Sequence, residues 1–132
     1  MKQLVGASIL MMSVLLAACA TPSMPLATTA GTDPEAAKHN AEGIDHYNQG
    51  HWGIAKTHFE AAIKADPKAA EAHYNMALTL DKLGSHAEAT DHFKNAAELA
   101  PGNSEITGSL AYKNHVRSNE GYDRPSGYGG MY

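Results

Sequence analysis

The pattern of apolar and polar residues divides the chain into four parts. A short polar start with one positive charge, Lys2, leads into a mostly apolar run from Leu4 to Leu16. Residues 20–32 and 119–132 show no periodicity that would bury one face of a helix or strand. The pattern predicts a signal peptide over 1–18, a flexible tether over 19–33, a helical domain over 34–118 and a disordered tail over 119–132.

The apolar run ends in a motif that bears on export. It is shorter than the roughly 20 residues that a spanning helix needs. Leu16, Ala17, Ala18 and Cys19 resemble the bacterial lipobox, which implies that the Cys19 thiol is acylated and the peptide cut before it. Ala20 stands where an Asp would retain such proteins in the inner membrane, so we expect a lipid anchor in the outer membrane, facing the periplasm. A conventional signal peptide and a permanent membrane helix remain as alternatives.

The helical region repeats itself with a period of 34 residues, which is diagnostic of a repeat architecture. Identical residues fall at positions suited to packing and to chain turns. The matching pairs are Ala36 with Ala70, His39 with His73, Gly50 with Gly84, Ala55 with Ala89, His58 with His92, Phe59 with Phe93, Ala62 with Ala96 and Pro67 with Pro101.

Residues typical of helix ends mark the limits of the elements. Asp followed by Pro suits an N-cap and a first helical position, Gly suits a left-handed C-terminal residue, and Ser with Glu three residues later suits a capping box. These signals predict helices at 34–49, 52–65, 68–83 and 86–99. They occur at Asp33–Pro34, Asp66–Pro67, Gly50, Gly84 and Ser85 with Glu88. Gly102 and Asn103 can start a further helix over 103–118, with an apolar face of Leu110, Ala111 and Val116.

Residues 34–118 resemble the tetratricopeptide repeat family. The resemblance predicts an all-α fold, a short α-solenoid of two repeats (34–67 and 68–101) closed by a C-terminal capping helix (103–118). It rests on Ala55, Phe59 and Pro67, then Ala89, Phe93 and Pro101, where a small residue allows close helix approach and an aromatic ring fills the space beside it. The first half of the motif is degenerate, because Glu42 and His46 stand at places where the family prefers apolar residues.

The resemblance also implies a concave partner-binding groove lined by the first helix of each repeat and by the capping helix. Tyrosines flanked by amides are plausible anchors for a peptide, since a few buried residues dominate such interfaces. The expected groove residues are Asn40, Ile44, Tyr47, Tyr74, Asn75, Leu78 and Tyr112. The tail tyrosines Tyr122, Tyr128 and Tyr132 are an alternative docking motif.

Composition narrows the chemistry. A net charge of −4 lacks the basic footprint of a nucleic-acid binder, so we expect no nucleic-acid partner. No two of the eight histidines have the three- or four-residue spacing of a helical two-ligand site, so the sequence predicts no metal site. It also predicts no cofactor and no catalytic activity.

The sequence therefore predicts an adaptor or scaffold that binds another envelope protein or peptide and reaches the membrane through acylated Cys19. The second hypothesis is a histidine-based metal-handling or pH-responsive envelope protein. Two repeats are few for a stable solenoid, so self-association or partner binding would add core area.

Overall fold

The computed structural model describes residues 22–117. The predicted lipidation site Cys19, the end of the predicted capping helix at Ser118 and the tail tyrosines lie outside the described residues. Within 22–117 all of the regular secondary structure is helical, with no strand, which confirms the all-α fold class. None of the described helices has both the length and the apolar character required to cross a membrane.

Four helices form two antiparallel pairs. They are α1 (Pro34–Asn48), α2 (Trp52–Ala65), α3 (Ala70–Lys82) and α4 (His86–Leu99). Helix α1 packs on α2 and α3 packs on α4, and α2 contacts α3, so the second pair stacks on the first as in an α-solenoid. Helix α3 is central, and each residue from Ala70 to Leu80 is buried.

The repeated small and aromatic residues form the core between the paired helices. Ala55, Phe59, Ala89 and Phe93 are completely buried, as the repeat pattern predicts. Gly43 shows how close the first pair is, because a Cβ at this residue would lie 2.6 Å from the Phe59 ring. The helices therefore meet where the sequence supplies little or no side chain.

Both turns within the repeats are closed by left-handed glycines, as predicted. Gly50 has φ +77° and Gly84 has φ +81°. The His51 amide donates to the His46 carbonyl and the Ser85 amide donates to the Leu80 carbonyl, each at 2.9 Å. These bonds are the Schellman pattern, which satisfies carbonyls at the end of a helix.

The helix starts agree only in part with the predicted caps. The Asp33 carboxylate accepts from the amides of Glu35 and Ala36 and caps α1. Asp66 and Pro67 instead form a turn before α3, which begins at Ala70, because the Asp66 carboxylate accepts from the Lys68 amide. The predicted capping box is wrong, since the Ser85 side chain makes no capping hydrogen bond.

The predicted continuous helix over 103–118 is broken. A short helix α5 (Ser104–Thr107) ends at Gly108, and α6 (Leu110–Tyr112) continues into a π-helical turn over Lys113–Arg117. The Ser109 hydroxyl accepts from the Tyr112 amide and caps the second segment. Ile106 and Val116 still reach the core, so this region closes the end of the solenoid as expected of a cap.

Candidate protein-binding groove

A pair of buried amides lies at the centre of the predicted groove. Asn40 on α1 and Asn75 on α3 are 1% and 0% exposed, and the Asn75 amide nitrogen donates to the Asn40 side-chain oxygen at 2.8 Å. A buried amide is costly unless its donors and acceptors are paired. The other donors and acceptors of these two side chains therefore need a further hydrogen-bond partner.

That partner is the backbone of the chain's own N-terminal segment. The Leu26 amide donates to the Asn75 side-chain oxygen at 2.7 Å, and the Leu26 carbonyl accepts from Asn75 at 2.7 Å and from Asn40 at 3.0 Å. The Leu26 side chain packs against the main core cluster. One residue is thus held by both of its backbone groups and by its side chain.

The same segment also touches the C-terminal cap. The Ser23 hydroxyl accepts from the Ala111 amide at 3.1 Å, and residues 22–29 form no regular secondary structure. The sequence pattern predicts a flexible tether here, but the structure holds this part of it along the groove. The physical reason is a set of contacts 49 and 88 residues apart in sequence, which local periodicity does not encode.

Two open cavities flank the held segment. The larger, about 510 Å³, is lined by Met24, Leu26, Tyr74 and Glu105 among others. The smaller, about 190 Å³, lies beside Ser23, Tyr47, Leu78 and Lys82. The segment therefore occupies the groove without filling it.

The predicted aromatic anchors lie deeper than expected. Tyr74 is 1% exposed and packs edge-on against Phe93 with ring centroids 5.7 Å apart, so it belongs to the helix contact as well as to the groove. Burial, and next the negative charge of Asp81, raise the pKa of the Tyr47 phenol above its ordinary value. This hydroxyl stays protonated at neutral pH and remains a hydrogen-bond donor.

The predicted set is thus brought together only in part. Asn40 and Asn75 bind the segment directly, and Tyr47, Tyr74 and Leu78 line the cavities beside it. Ile44 and Tyr112 are partly buried and pack against the core cluster. Leu26 is the groove residue that the sequence did not indicate, because other apolar residues such as Met24 and Ala27 lie in the same stretch.

Histidines from neighbouring helices also lie close together, although no two of them have the spacing of a two-ligand site within one helix. His39, Glu42 and His58 converge from α1 and α2, with their ligand-type atoms all within 4.8 Å of one another. Asp81, His86 and His115 form a second such group near the cap.

Residues 40–104 match the family model described as the tetratricopeptide repeat. The matched span runs from within α1 to the first residue of α5 and includes both of the buried amides. Together with the packed helix pairs, the match supports a tetratricopeptide repeat protein, a class whose repeats bind other proteins. No curated protein matches the chain.

Proposed function

We propose that the protein is a membrane-tethered adaptor of the cell envelope that captures an extended segment of another protein in the groove between α1, α3 and the C-terminal cap. The observation that carries this proposal is the grip of Asn40 and Asn75 on the Leu26 backbone. A groove that holds one non-helical segment by its main chain is suited to holding another.

The contacts define the chemistry of the captured segment. Asn75 bonds both the N–H and the C=O of one residue, so the partner must offer an extended backbone with a free amide at that position. The side chain there is apolar, because Leu26 packs on the core cluster. Main-chain bonds supply affinity in this arrangement, while the side-chain pocket and the two cavities supply selectivity.

The chain's own segment is then a resident competitor. A covalently attached segment acts at an effective concentration in the millimolar range, without any loss of translational freedom on docking. A partner must therefore outcompete it, which favours partners presented at high local concentration. Either the resident segment or the partner occupies the groove, and each displaces the other.

The proposed membrane anchor is argued from the residues around Cys19. Cys19 with its lipobox-like residues supports acylation, and Ala20 supports an outer-membrane destination facing the periplasm. Cys19 precedes Leu26 by seven residues, a reach of at most about 25 Å when fully extended. A docked segment would hold the repeats close to the membrane, and its release by a partner would let them move further out.

The groove presents buried amides, phenols and apolar groups, with charged residues such as Lys82 and Glu105 at the two cavities. Binding is the activity that these side chains support. Self-association, in which a second copy's segment fills the groove, is the competing occupant.

In-cell photocrosslinking would test the proposal. A photoreactive amino acid at Glu105 or Lys82, exposed residues beside the two cavities, should give a discrete heterologous adduct. The adduct should weaken strongly when Asn75→Ala is added, and should be absent from a probe at Lys94, an exposed residue of α4. Adducts of twice the chain's mass alone would favour self-association, and equal adducts from all three positions would refute the groove.

A further inference from the structure

The histidines of the first repeat are arranged differently from their equivalents in the second. His39 Nδ1 and His58 Nδ1 lie 3.3 Å and 3.2 Å from the same oxygen, Glu42 Oε2. Although His39 Nδ1 is close to this carboxylate, it lacks hydrogen-bond geometry and is buried with no hydrogen-bond partner within residues 22–117. The three groups converge without satisfying one another.

The second repeat provides an internal comparison at the same positions. His73 and His92 meet directly, Nδ1 to Nδ1 at 3.1 Å, and His73 Nε2 lies 3.0 Å from the Pro67 carbonyl. A carbonyl only accepts, so His73 Nε2 carries the proton, His73 Nδ1 accepts, and His92 Nδ1 donates. Met76 stands where the first repeat has Glu42, so this pair is closed by a hydrogen bond and lacks the carboxylate found at that position of the first repeat.

The distances in the first repeat agree with those of a coordination shell. Ligands bound at about 2.0–2.1 Å in a tetrahedral site lie about 3.3–3.4 Å apart, close to both of the nitrogen-to-oxygen separations at Glu42. Two imidazole nitrogens and one carboxylate oxygen are a donor set that suits zinc and similar transition metals. Three protein ligands leave a fourth position for water or another donor.

We propose that His39 Nδ1, Glu42 Oε2 and His58 Nδ1 form a binding site for a divalent transition metal of the zinc type. The site links α1, which carries His39 and Glu42, to α2, which carries His58. It also accounts for the polar residue Glu42 at a repeat position that is Met76 in the second unit.

The surroundings of the site extend the histidine cluster. His46 stacks on His58 with centroids 5.3 Å apart, and its Nδ1 is likewise buried without a hydrogen-bond partner in the described part of the chain. Lys38 lies 4.0 Å from the other Glu42 oxygen and balances its charge in the absence of an ion. The group around Asp81 differs, because its carboxylate already accepts from His86 and His115 at 2.9 Å each.

The test is zinc titration of the full chain, purified in detergent without a histidine tag and stripped with chelator. Calorimetry should show one Zn²⁺ per chain with a dissociation constant in the low-micromolar range or tighter, and no binding of Mg²⁺ or Ca²⁺, which prefer oxygen ligands. Zinc at a hundredfold excess over this constant should raise the thermal midpoint by about 10 °C or more.

The decisive variant is Glu42→Met, which installs the residue of the second repeat and preserves the apolar character of that position. It should fold, by circular dichroism, and weaken zinc binding more than about 100-fold, since loss of even an indirect ligand contact costs 10–100-fold. His58→Gln should do the same. His92→Gln, the matched change in the second repeat, should leave the affinity within about twofold.

Other outcomes overturn the proposal. Binding that survives Glu42→Met, or that is lost in Asp81→Asn, would place the metal elsewhere. Binding only at millimolar zinc would mean that the histidines are a solvated cluster. Nitrogen-15 spectra of the wild-type histidines add an independent check, because zinc should shift the Nδ1 resonances of His39 and His58 and not those of His73 and His92.

Discussion

Replacing Asn75 with alanine should release the N-terminal segment from the groove. Asn75 makes two hydrogen bonds to Leu26 and one to Asn40, at 2.7, 2.7 and 2.8 Å. Each such bond contributes a net of about 0.5–1.5 kcal/mol, so the two that hold the segment amount to about 1–3 kcal/mol. Alanine is a better helix former than asparagine, so α3 itself should persist.

The loss of the two bonds to Leu26 falls on docking, because a released segment regains hydrogen bonds to water. The third bond joins α3 to α1, and its loss falls on the fold. A change of about 1–3 kcal/mol corresponds to a docking equilibrium about 5- to 150-fold less favourable. Amide hydrogen exchange at Leu26 measures this equilibrium directly, since its N–H donates to Asn75 in the docked state. Exchange at Leu26 should accelerate accordingly, while amides in the middle of α3 keep their protection.

Asn95→Ala provides the control, since Asn95 is an exposed asparagine on α4. It should leave Leu26 exchange unchanged. If the Leu26 amide already exchanges at the rate of an unprotected peptide in the wild-type chain, or exchanges equally slowly in Asn75→Ala, then the amide pair does not hold the segment.

Three further predictions follow from the core, the histidines and the proposed anchor. Phe59→Ala and Phe93→Ala should each cost about 3–5 kcal/mol by leaving cavities where the rings are completely buried, and unchanged urea midpoints would show that neither ring supports the fold. Burial, then the neighbouring histidine, lower the pKa of His92, so the unfolded state binds more protons and stability should fall as the pH drops below about 6.5. His92→Gln should flatten that dependence between about pH 7 and 5 in chemical denaturation, and an identical slope would exclude His92 as a source. Cys19→Ser should prevent acylation and leave an unprocessed precursor or a soluble product in cell fractionation, whereas a mature membrane-bound mutant would disprove the lipobox interpretation.

Much of the fold was predictable because it is encoded locally and then repeated. Gly50 and Gly84 end their helices in the left-handed region, and Phe59 and Phe93 fill the core at equivalent positions. Because the period of 34 residues places the same signal in both repeats, each occurrence supports the interpretation of the other. Local signals failed where two local hydrogen-bonding options compete, as at Asp66, whose carboxylate closes a turn instead of capping α3.

The groove was only half predictable. The sequence indicated which first-helix residues face it, and Asn40 and Asn75 were among them. It did not indicate that Leu26 docks there, because that contact joins residues 49 positions apart with no periodic pattern. The convergence of His39 with His58 was missed for the same reason, since it depends on how α1 packs on α2 rather than on spacing within either helix.

The expected effect of groove substitutions also changes with the structure. The sequence placed Tyr74 among the groove residues, as an anchor for a bound peptide. Tyr74 is buried against Phe93 instead, and Tyr74→Ala should destabilise the second repeat. Asn75 is therefore the cleaner probe of binding.

The most direct test of the groove as a peptide-binding site uses the resident segment itself as a ligand. A fluorescent peptide of residues 20–32 is titrated into full-length Leu26→Asp, in which a charge replaces the apolar anchor and opens the groove. Anisotropy should show saturable one-to-one binding, tighter than to the wild-type chain, whose attached segment competes. Binding should be lost when Asn75→Ala is added or when the peptide carries the same Leu26→Asp change. No saturable binding to the opened groove, or equal binding with Asn75→Ala, would contradict the proposal that these amides capture extended chains.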